Sequence, residues 1–287
     1  MATFNKHIVI VGTARSGTSW LSETIARQHR YRMLFEPEQE TRTKRGHLLC
    51  DQWIASQKGR EEAHTYLQRV FGNKVDCDWI AQNSNRTFKR HLWPFLPKKF
   101  IIKFVRGNLL AKYVNEHFKI PVIHLIRNPY DVIQSQQRVK FPWLYDLDHF
   151  VSQQQLVALI KEQFNYDITN YKSLKAIEIL CLRWCIENVI PLEVLEPYKE
   201  KSIVIKYEEL IADINAFKQL CDEFDLEPIK HLEHYYKTPS SKTHPQSSIM
   251  RKEASHLSLT NSEMSAIKHL LGVFKTNLYP SDYVQTS

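Results

Sequence analysis

The chain has 287 residues, of which 43% are hydrophobic and 24% charged, proportions that exclude a disordered, collagenous or coiled-coil protein. Its formal net charge of +8 suits an anionic ligand, a nucleic acid or an acidic membrane surface without choosing among them. No apolar run is long enough to cross a bilayer or to form the core of a signal peptide, so a cytoplasmic protein is expected. Five cysteines without CxxC spacing argue against a disulfide framework and a zinc site: Cys50, Cys77, Cys181, Cys185 and Cys221.

Apolar periodicity, capping residues and glycine or proline breaks predict the elements in chain order. They are a strand at 6–13, a helix at 16–29, a basic irregular segment at 31–60, a helix at 61–72, a loop at 83–99, a strand at 100–105, a helix at 109–118, a strand at 121–127, a helix at 128–139, helices at 150–164 and 176–189, a strand at 202–207, a polar loop at 238–256 and a helix from Thr260. This alternation predicts an α/β fold: a single domain over residues 1–287, in which a P-loop-type parallel sheet carries helices on both faces.

The first predicted strand and helix are joined by a glycine-bounded loop, Gly-Thr-Ala-Arg-Ser-Gly-Thr-Ser at 12–19. Backbone N–H groups and a helix N-terminus cradle phosphate in such a setting. The frame is close to the nucleotide P-loop, but Thr18 stands at the lysine position and the cation lies earlier, at Arg15. Because that lysine binds the β- and γ-phosphates of a triphosphate, its absence argues against an ATPase or a kinase. A tight turn with solvated hydroxyls is the simpler alternative.

A second pair of polar residues follows a later strand. Arg127 ends that strand, and Ser135 lies two helical turns inside the next helix. Ligands of α/β sheets bind beyond the carboxyl ends of strands, so this pair is placed to hold one anionic group. The alternative is that Arg127 pairs with Asp131. Two anion sites at two strand ends suggest a ligand with phosphates at both ends.

Together the two stretches resemble the sulfotransferase superfamily that uses 3′-phosphoadenosine 5′-phosphosulfate (PAPS), closer to its carbohydrate-type and bacterial members than to its cytosolic small-molecule members. The sequence GTARSGTSWL at 12–21 is similar to the family's loop for the 5′-phosphosulfate, and IHLIRNPYDVIQS at 123–135 is similar to its 3′-phosphate site. VIKYEEL at 204–210 resembles a third landmark, and Trp184 with Asn188 match a weaker helical pattern.

This resemblance implies sulfuryl transfer from PAPS to an acceptor hydroxyl, with adenosine 3′,5′-bisphosphate (PAP) as product and no metal. It implies donor contacts from Arg15, Ser16, Gly17, Thr18 and Ser19 at the 5′-phosphosulfate, Arg127 and Ser135 at the 3′-phosphate, Tyr207 near the adenine, and Arg251 and Lys252 in a late loop similar to a family Arg-Lys-Gly segment. Glu253 replaces the glycine of that segment, and a solvated basic loop is the alternative there.

The resemblance also implies catalytic roles. Arg15 would neutralise the charge that grows on the leaving oxygen. Val105 stands where cytosolic members place a histidine base, whereas Glu36, in Leu-Phe-Glu-Pro, matches the glutamate base of carbohydrate-type and bacterial members. Lys103 matches a lysine near the acceptor, and His91 is the alternative base. Glu36 could instead balance nearby arginines on the surface, and Lys103 could face outward from a half-buried strand.

Residues 38–99 and 140–176 carry no motif and are expected to form the walls of the acceptor pocket. Their aromatic and basic residues favour a carbohydrate or glycolipid-like acceptor; neither a nucleic-acid partner nor a transmembrane segment is expected. Three alternatives stay open. A P-loop kinase would need ATP and magnesium. A non-enzymatic nucleic-acid binder would explain the charge, although no helix-turn-helix, RNA-binding or zinc motif supports it. A catalytically inactive sulfotransferase-like domain is the third.

Overall fold

The β-branched and apolar segments form one parallel sheet. A computed structural model describes residues 4–28, 31–55, 60–75, 77–81, 99–245 and 259–279. Its five strands lie in the order β2-β3-β1-β4-β5, and every neighbouring pair is parallel. The strands are β1 (Ile8–Val11), β2 (Tyr31–Phe35), β3 (Lys99–Phe104), β4 (Val122–Ile126) and β5 (Ser202–Lys206). All carboxyl ends therefore meet at one edge, which we call the carboxyl edge.

Helices and short turns connect the strands. The α-helices are α1 (Thr18–Ile25), α2 (Glu61–Phe71), α3 (Asp78–Ala81), α4 (Ala111–Phe118), α5 (Pro129–Val139), α6 (Asp148–Val151), α7 (Gln154–Phe164), α8 (Ala176–Val189), α9 (Tyr207–Ala212), α10 (Ile214–Glu223), α11 (Leu232–Lys237) and α12 (Asn261–Val273). Short 3₁₀ turns cover Gly46–Leu48, Pro142–Tyr145 and Ile168–Ser173, and a π-helical turn covers Ile190–Val194. No helix among the described residues is long and apolar enough to span a membrane.

The sheet is covered on both faces, which confirms the predicted α/β class. Alternate side chains of β1 enter different cores, as the two-residue period of a strand requires. Ile8 and Ile10 pack with α1 and α10, whereas Val9 and Val11 pack with α2 and α4. A third core joins α5, α7, α8 and α12 beside the carboxyl edge.

The strand β2 corrects the sequence prediction, which treated residues 31–60 as irregular throughout. Pairing runs from Tyr31 opposite Lys99 to Phe35 opposite Lys103. As an edge strand, β2 has β3 as its single partner, and Arg32 interrupts its apolar pattern. Its stability therefore comes from a tertiary contact that the local sequence does not reveal.

Two predicted helix starts are confirmed in detail. The side chain of Asn128 accepts a hydrogen bond from the Tyr130 N–H over 2.9 Å, with Pro129 as the first residue of α5. Thr260 and Glu263 form a reciprocal capping box at the start of α12. The first of these caps fixes the direction of the chain where it leaves β4, at the carboxyl edge.

Candidate functional site

The loop at 12–19 leaves the central strand of the sheet in a strained conformation. Arg15 and Gly17 have φ angles of 76° and 98°, in the left-handed region. A Cβ built on Gly17 would lie 2.5 Å from the ring of Tyr207, so only glycine fits beneath that ring. Gly12 is similarly enclosed by the carbonyl of Leu125 and the hydroxyl of Ser16. The two glycines thus hold the loop close to its neighbours.

Two helices anchor this loop through side-chain hydrogen bonds. Asn188 of α8 donates to the hydroxyl of Thr13 over 2.8 Å. Gln136 of α5 donates to the carbonyl of Ala14 over 3.0 Å. Both side chains are fully buried. The loop is therefore fixed before any ligand binds, as a preformed anion site requires.

The hydroxyl groups of the loop are not equally accessible. Ser16 and Thr18 are 0% and 3% exposed, and the Ser16 hydroxyl is buried without a hydrogen-bond partner in the described structure. Ser19 is half-buried at the start of α1. Because the first turn of a helix has N–H groups without intrahelical acceptors, the backbone of residues 17–20 supplies donors to this site.

Arg15 connects the loop to the second predicted anion site. Its Nε donates to the hydroxyl of Ser135 over 2.9 Å, and its carbonyl accepts from the Arg127 guanidinium over 3.2 Å. Burial, followed by the nearby Arg127 cation, lowers the pKa of Arg15 to about 10, so the guanidinium stays protonated at neutral pH. The fold thus brings the two sequence motifs into a single cluster.

The contacts of Arg127 bear on the two predictions for it, anion binding and an ion pair with Asp131. Its guanidinium carbon is 4.7 Å from the centre of the Tyr207 ring, its backbone carbonyl accepts from Trp184, and its Nε is buried without a partner in the described residues. Its closest approach to the carboxylate of Asp131 is 3.8 Å, beyond hydrogen-bond distance. The ion pair is loose, and donor capacity remains on the guanidinium.

Glu208, in the predicted Tyr-Glu-Glu segment, and Tyr279, which the sequence did not single out, hold the start of α9 in place. Glu208, the next residue of α9, accepts from the backbone N–H of Asn128 over 2.9 Å and from the hydroxyl of Tyr279 over 2.7 Å. It therefore ties the start of α9 to the start of α5. The sequence indicated the Tyr-Glu-Glu segment after a strand, but it did not indicate Tyr279, the partner of Glu208, which lies 71 positions away.

Glu36 and Lys103 form a buried ion pair at the ends of β2 and β3. The Lys103 Nζ lies 2.5 Å from Oε1 of Glu36, and the two side chains are 2% and 12% exposed. The Glu36 backbone N–H donates to the Lys103 carbonyl, and Glu36 has a left-handed φ of 43°. Strain of this kind is concentrated at functional sites. This burial excludes both alternatives, because Glu36 is not a surface carboxylate and Lys103 does not face outward.

Glu38, which no sequence motif indicated, contacts the chain just after Lys103. It is 1% exposed, and its Oε1 accepts from the backbone N–H groups of Val105 and Arg106 over 2.7 and 3.2 Å. Burial, followed by the charge of Glu36, raises the pKa of Glu38 to about 7. Glu38 thus fixes the chain where it leaves β3, next to Lys103.

A buried charge network connects the segments that follow β2 and β3 to α8. Asp51 accepts from Arg106 over 2.5 Å and lies 3.3 Å from Arg183, which also donates to Glu187 over 2.9 Å. Although burial opposes it, these arginines lower the pKa of Asp51. Trp143 packs over Arg106 and Arg183 at 4.9 and 5.4 Å. Residues from both segments predicted as pocket walls, 38–99 and 140–176, therefore meet here.

One neighbouring group has the composition of a metal site. Glu40, Cys50 and His149 have ligand atoms within 4.8 Å of one another, the one such group of three among the described residues. Arg106 donates to Glu40 over 3.1 Å, and His149 lies 2.9 Å from its other oxygen. The carboxylate already contacts a cation, so ion pairing accounts for the cluster.

Along the carboxyl edge, the candidate residues follow the order of the strands. Their order across the sheet is Glu36 after β2, Lys103 in β3, the loop at 12–19 after β1, Arg127 after β4 and Tyr207 after β5. Neighbouring strands are about 4.8 Å apart, so the Glu36 turn and the loop leave the sheet roughly 10 Å apart. Arg251, Lys252 and His91 lie outside the described residues.

Comparisons with known proteins find similarity at the level of solved structures. No family model and no curated protein matches the chain. The sulfotransferase domain from the curacin biosynthetic pathway is 18% identical, with a TM-score of 0.47 over 97% of this chain and 100% of that one. The sulfotransferase domain from the Synechococcus PCC 7002 olefin synthase is 15% identical, with a TM-score of 0.45 over 97% and 98%. A sulfotransferase from Alicyclobacillus acidocaldarius is 12% identical, with a TM-score of 0.44 over 96% and 93%. At such values, activity has to be argued from the site itself.

Proposed function

We propose that the chain is a PAPS-dependent sulfotransferase that transfers a sulfuryl group to a hydroxyl of a carbohydrate or glycolipid-like acceptor. One observation carries the proposal: Arg15, Ser135 and Arg127 form a single polar cluster between two strand ends. A ligand with anionic groups at two ends, as in a 3′,5′-bisphosphorylated nucleoside, suits such a cluster. A nucleoside triphosphate carries its phosphates in one chain and suits it less well.

The residues present fit this donor. Two buried polar atoms in the cluster, the Ser16 hydroxyl and the Nε of Arg127, have no protein partner in the described structure. Unsatisfied buried polar groups are rare in folded proteins and suggest a ligand. Gly17 leaves space for the Tyr207 ring against the loop, where that ring can contact a planar base.

Each part of the cluster then has a role. The backbone N–H groups of residues 17–20 and the side chains of Arg15, Ser16 and Ser19 would hold the 5′-phosphosulfate. Arg127 and Ser135 would hold the 3′-phosphate, and Tyr207 would lie near the adenine. When bound, PAPS supplies an activated sulfuryl group whose sulfur–oxygen bond to the 5′-phosphate breaks as the bond to the acceptor oxygen forms.

Arg15 acts electrostatically in this scheme. Its guanidinium remains charged at neutral pH even with a pKa near 10. It can therefore offset the negative charge on the leaving phosphate oxygen, but it cannot protonate that oxygen. The anchoring of the loop by Asn188 and Gln136 keeps this charge in place without reorganisation during the reaction.

Glu36 is the proposed general base. It would take the proton of the acceptor hydroxyl on a carboxylate oxygen while that hydroxyl oxygen attacks the sulfur. Lys103 orients the carboxylate through the 2.5 Å ion pair. The Glu36 turn and the Arg15 loop flank the end of β3, an arrangement that suits an acceptor placed in line with the donor.

Transfer of radiolabel from [³⁵S]PAPS to a panel of neutral and acidic oligosaccharides and glycolipids tests the proposal. The wild-type chain should label at least one acceptor without added metal. Arg15→Ala and Glu36→Gln should each abolish most of that transfer, while Lys218→Ala, an exposed charge change on α10, should not. Phosphoryl transfer from ATP with magnesium to the same panel would contradict the proposal and move the chain to the kinases.

A further inference from the structure

A single peptide group joins Arg127 to Asn128 between β4 and α5, and it has a side-chain partner on each side. Its carbonyl, that of Arg127, accepts a hydrogen bond from the indole N–H of Trp184 over 3.1 Å. Its N–H, that of Asn128, donates to Glu208 over 2.9 Å. Because a planar trans peptide points its carbonyl and its N–H in opposite directions, these two contacts fix its rotation. They thereby set the direction in which the Arg127 side chain leaves the backbone.

Glu208 is suited to this position because it is an acid at the N-terminus of a helix. Asn128 is the N-cap of α5, and its backbone N–H is the group that the carboxylate accepts from. A carboxylate forms a stronger hydrogen bond than a neutral acceptor, and the helix macrodipole favours negative charge at this end. Asp131, in the first turn of α5, instead approaches the guanidinium of Arg127, to 3.8 Å. The two acids thus act on different parts of Arg127, its backbone and its side chain.

Tyr279 contacts both of the side chains that hold this peptide group. Its hydroxyl donates to the second carboxylate oxygen of Glu208 over 2.7 Å, and its ring meets that of Trp184 edge to face at 6.2 Å. Lys206, the last residue of β5, has its Nζ 5.1 Å from the centre of the same ring. The Tyr279 side chain is buried among these groups. One buried side chain therefore connects the two partners of the peptide.

The chain around Tyr279 is held by the elements beside it. The N–H of Asn277 donates to Glu193, in the π-helical turn that follows α8, over 2.8 Å. Helix α12, which precedes this segment, packs against α8 in the core beside the carboxyl edge. These contacts fix Tyr279 relative to α8, the helix that carries Trp184.

The guanidinium of Arg127 lies where this backbone direction places it. It donates to the carbonyl of Arg15 over 3.2 Å and lies 4.7 Å from the centre of the Tyr207 ring, and its Nε is buried without a partner in the described residues. An arginine binds phosphate through paired N–H groups, so its planar fork must have the right orientation. A rotation of the Arg127–Asn128 peptide would misalign that fork.

From these contacts we infer that Tyr279 and Glu208 are positioning residues for the 3′-phosphate: they orient Arg127 through its peptide group and so set the preference of the donor site for a 3′-phosphorylated nucleotide. The inference rests on the proposed function for the identity of the nucleotide. The preference is a binding property, however, and can be measured without an acceptor and without turnover.

Calorimetric titration with PAP and with adenosine 5′-monophosphate (AMP) tests the inference, because the two nucleotides differ only in the 3′-phosphate. The wild-type chain should bind PAP roughly tenfold or more tightly than AMP. Tyr279→Phe removes only the hydroxyl and should raise the Kd for PAP by about three- to tenfold, with the Kd for AMP unchanged. Tyr113→Phe is the matched control: it removes another buried tyrosine hydroxyl, 2.9 Å from His64, and should change neither Kd.

Variants of Glu208 distinguish positioning from packing. Glu208→Ala removes both hydrogen bonds and should lower the affinity for PAP by roughly tenfold or more. Glu208→Gln keeps an acceptor for the Asn128 N–H and should bind PAP within about threefold of the wild type. Glu209→Ala removes the neighbouring exposed acid of α9 and should bind both nucleotides normally. The AMP affinity and the midpoint of urea unfolding report that each variant is folded.

The ratio of the two Kd values decides the outcome. A preference for PAP that falls in Tyr279→Phe and Glu208→Ala and is retained in Glu208→Gln supports the inference. An unchanged ratio in the first two variants would overturn it, whether both affinities stay the same or fall together, and the proposed donor site would stand. Equal binding of PAP and AMP by the wild-type chain would overturn the proposed donor site and the inference with it.

Discussion

The Nε of Arg15 donates to the hydroxyl of Ser135 across 2.9 Å, although the two residues are 120 positions apart in sequence. This contact joins the loop after β1 to the helix after β4. It converts two weak motifs into one polar cluster, in which Arg127 completes the connection by donating to the Arg15 carbonyl. The proposed donor site depends on this contact.

Loss of the Arg127 side chain should weaken PAP binding without unfolding the chain. A charge-assisted hydrogen bond contributes about 1.5–3 kcal/mol, so Arg127→Ala should raise the Kd for PAP by roughly 10- to 100-fold. The variant also removes the 3.8 Å approach to Asp131, which is too loose to stabilise the fold strongly. Calorimetric titration against Lys218→Ala, which removes one exposed charge, measures the difference; equal PAP affinity in the two variants would rule out the paired anion sites.

Removal of the Glu36 charge should separate binding from turnover. Glu36→Gln keeps the shape of the side chain but cannot accept the acceptor proton, so kcat should fall by about 10²–10⁴ while the Kd for PAP stays the same. Glu62→Gln, an exposed change on α2, is the matched control. Near wild-type turnover in Glu36→Gln would exclude Glu36 as the base and leave His91 as the alternative.

Gly17 should tolerate no side chain. In Gly17→Ala the new methyl group would lie 2.5 Å from the Tyr207 ring at a φ of 98°, which costs about 1–3 kcal/mol and displaces the ring from the donor site. Gly272→Ala is the control, since a Cβ there meets nothing within 4 Å and lies inside helix α12, where alanine stabilises by about 0.5–1 kcal/mol. Urea unfolding of both variants gives the comparison, and equal stabilities would show that the ring does not rest on Gly17.

Folding stability should fall on acidification because of His7. Its ring contacts the Phe71 carbonyl through Nε2, and its Nδ1 accepts from the Phe100 N–H, so the imidazole is neutral. Burial lowers the pKa of His7 to about 4, whereas the unfolded chain binds a proton near 6.5. Below pH 6.5 the unfolded state thus binds more protons than the folded state, and stability decreases until about pH 4.

From this linkage, His7 contributes a loss of about 2 kcal/mol between pH 7 and pH 5. Urea unfolding of the wild type and of His7→Gln at the two pH values gives the measurement. The variant starts from a lower stability but should lose about 2 kcal/mol less on acidification. The same loss in both proteins would show that His7 does not control this part of the pH dependence.

The central strands and their loops were predictable from sequence because their signals are local. A β-branched run, a glycine-bounded turn and a capped helix identified β1, the loop at 12–19 and the start of α5. Strands β1, β3, β4 and β5 were located in this way. The remaining strand, β2, contains Arg32 and is stabilised by pairing with β3, a contact that no local pattern reveals.

The supporting residues of the site were not predictable for a related reason. Glu38 interacts with the backbone beyond β3, and Glu208 with Tyr279, at separations of 67 and 71 positions. Their residue types are common on protein surfaces, and only burial and partners distinguish them. Glu36 was identified through its Glu-Pro context, but its burial against Lys103 could not be deduced from the sequence.

The most direct test of the account is calorimetric titration of the purified chain with PAP, with ADP plus magnesium as the comparison. Two anion sites bridged by the Arg15–Ser135 contact predict micromolar PAP binding that needs no metal and little binding of ADP. Preference for ADP with magnesium would contradict the account, because the loop at 12–19 would then serve a nucleotide with phosphates at one end only.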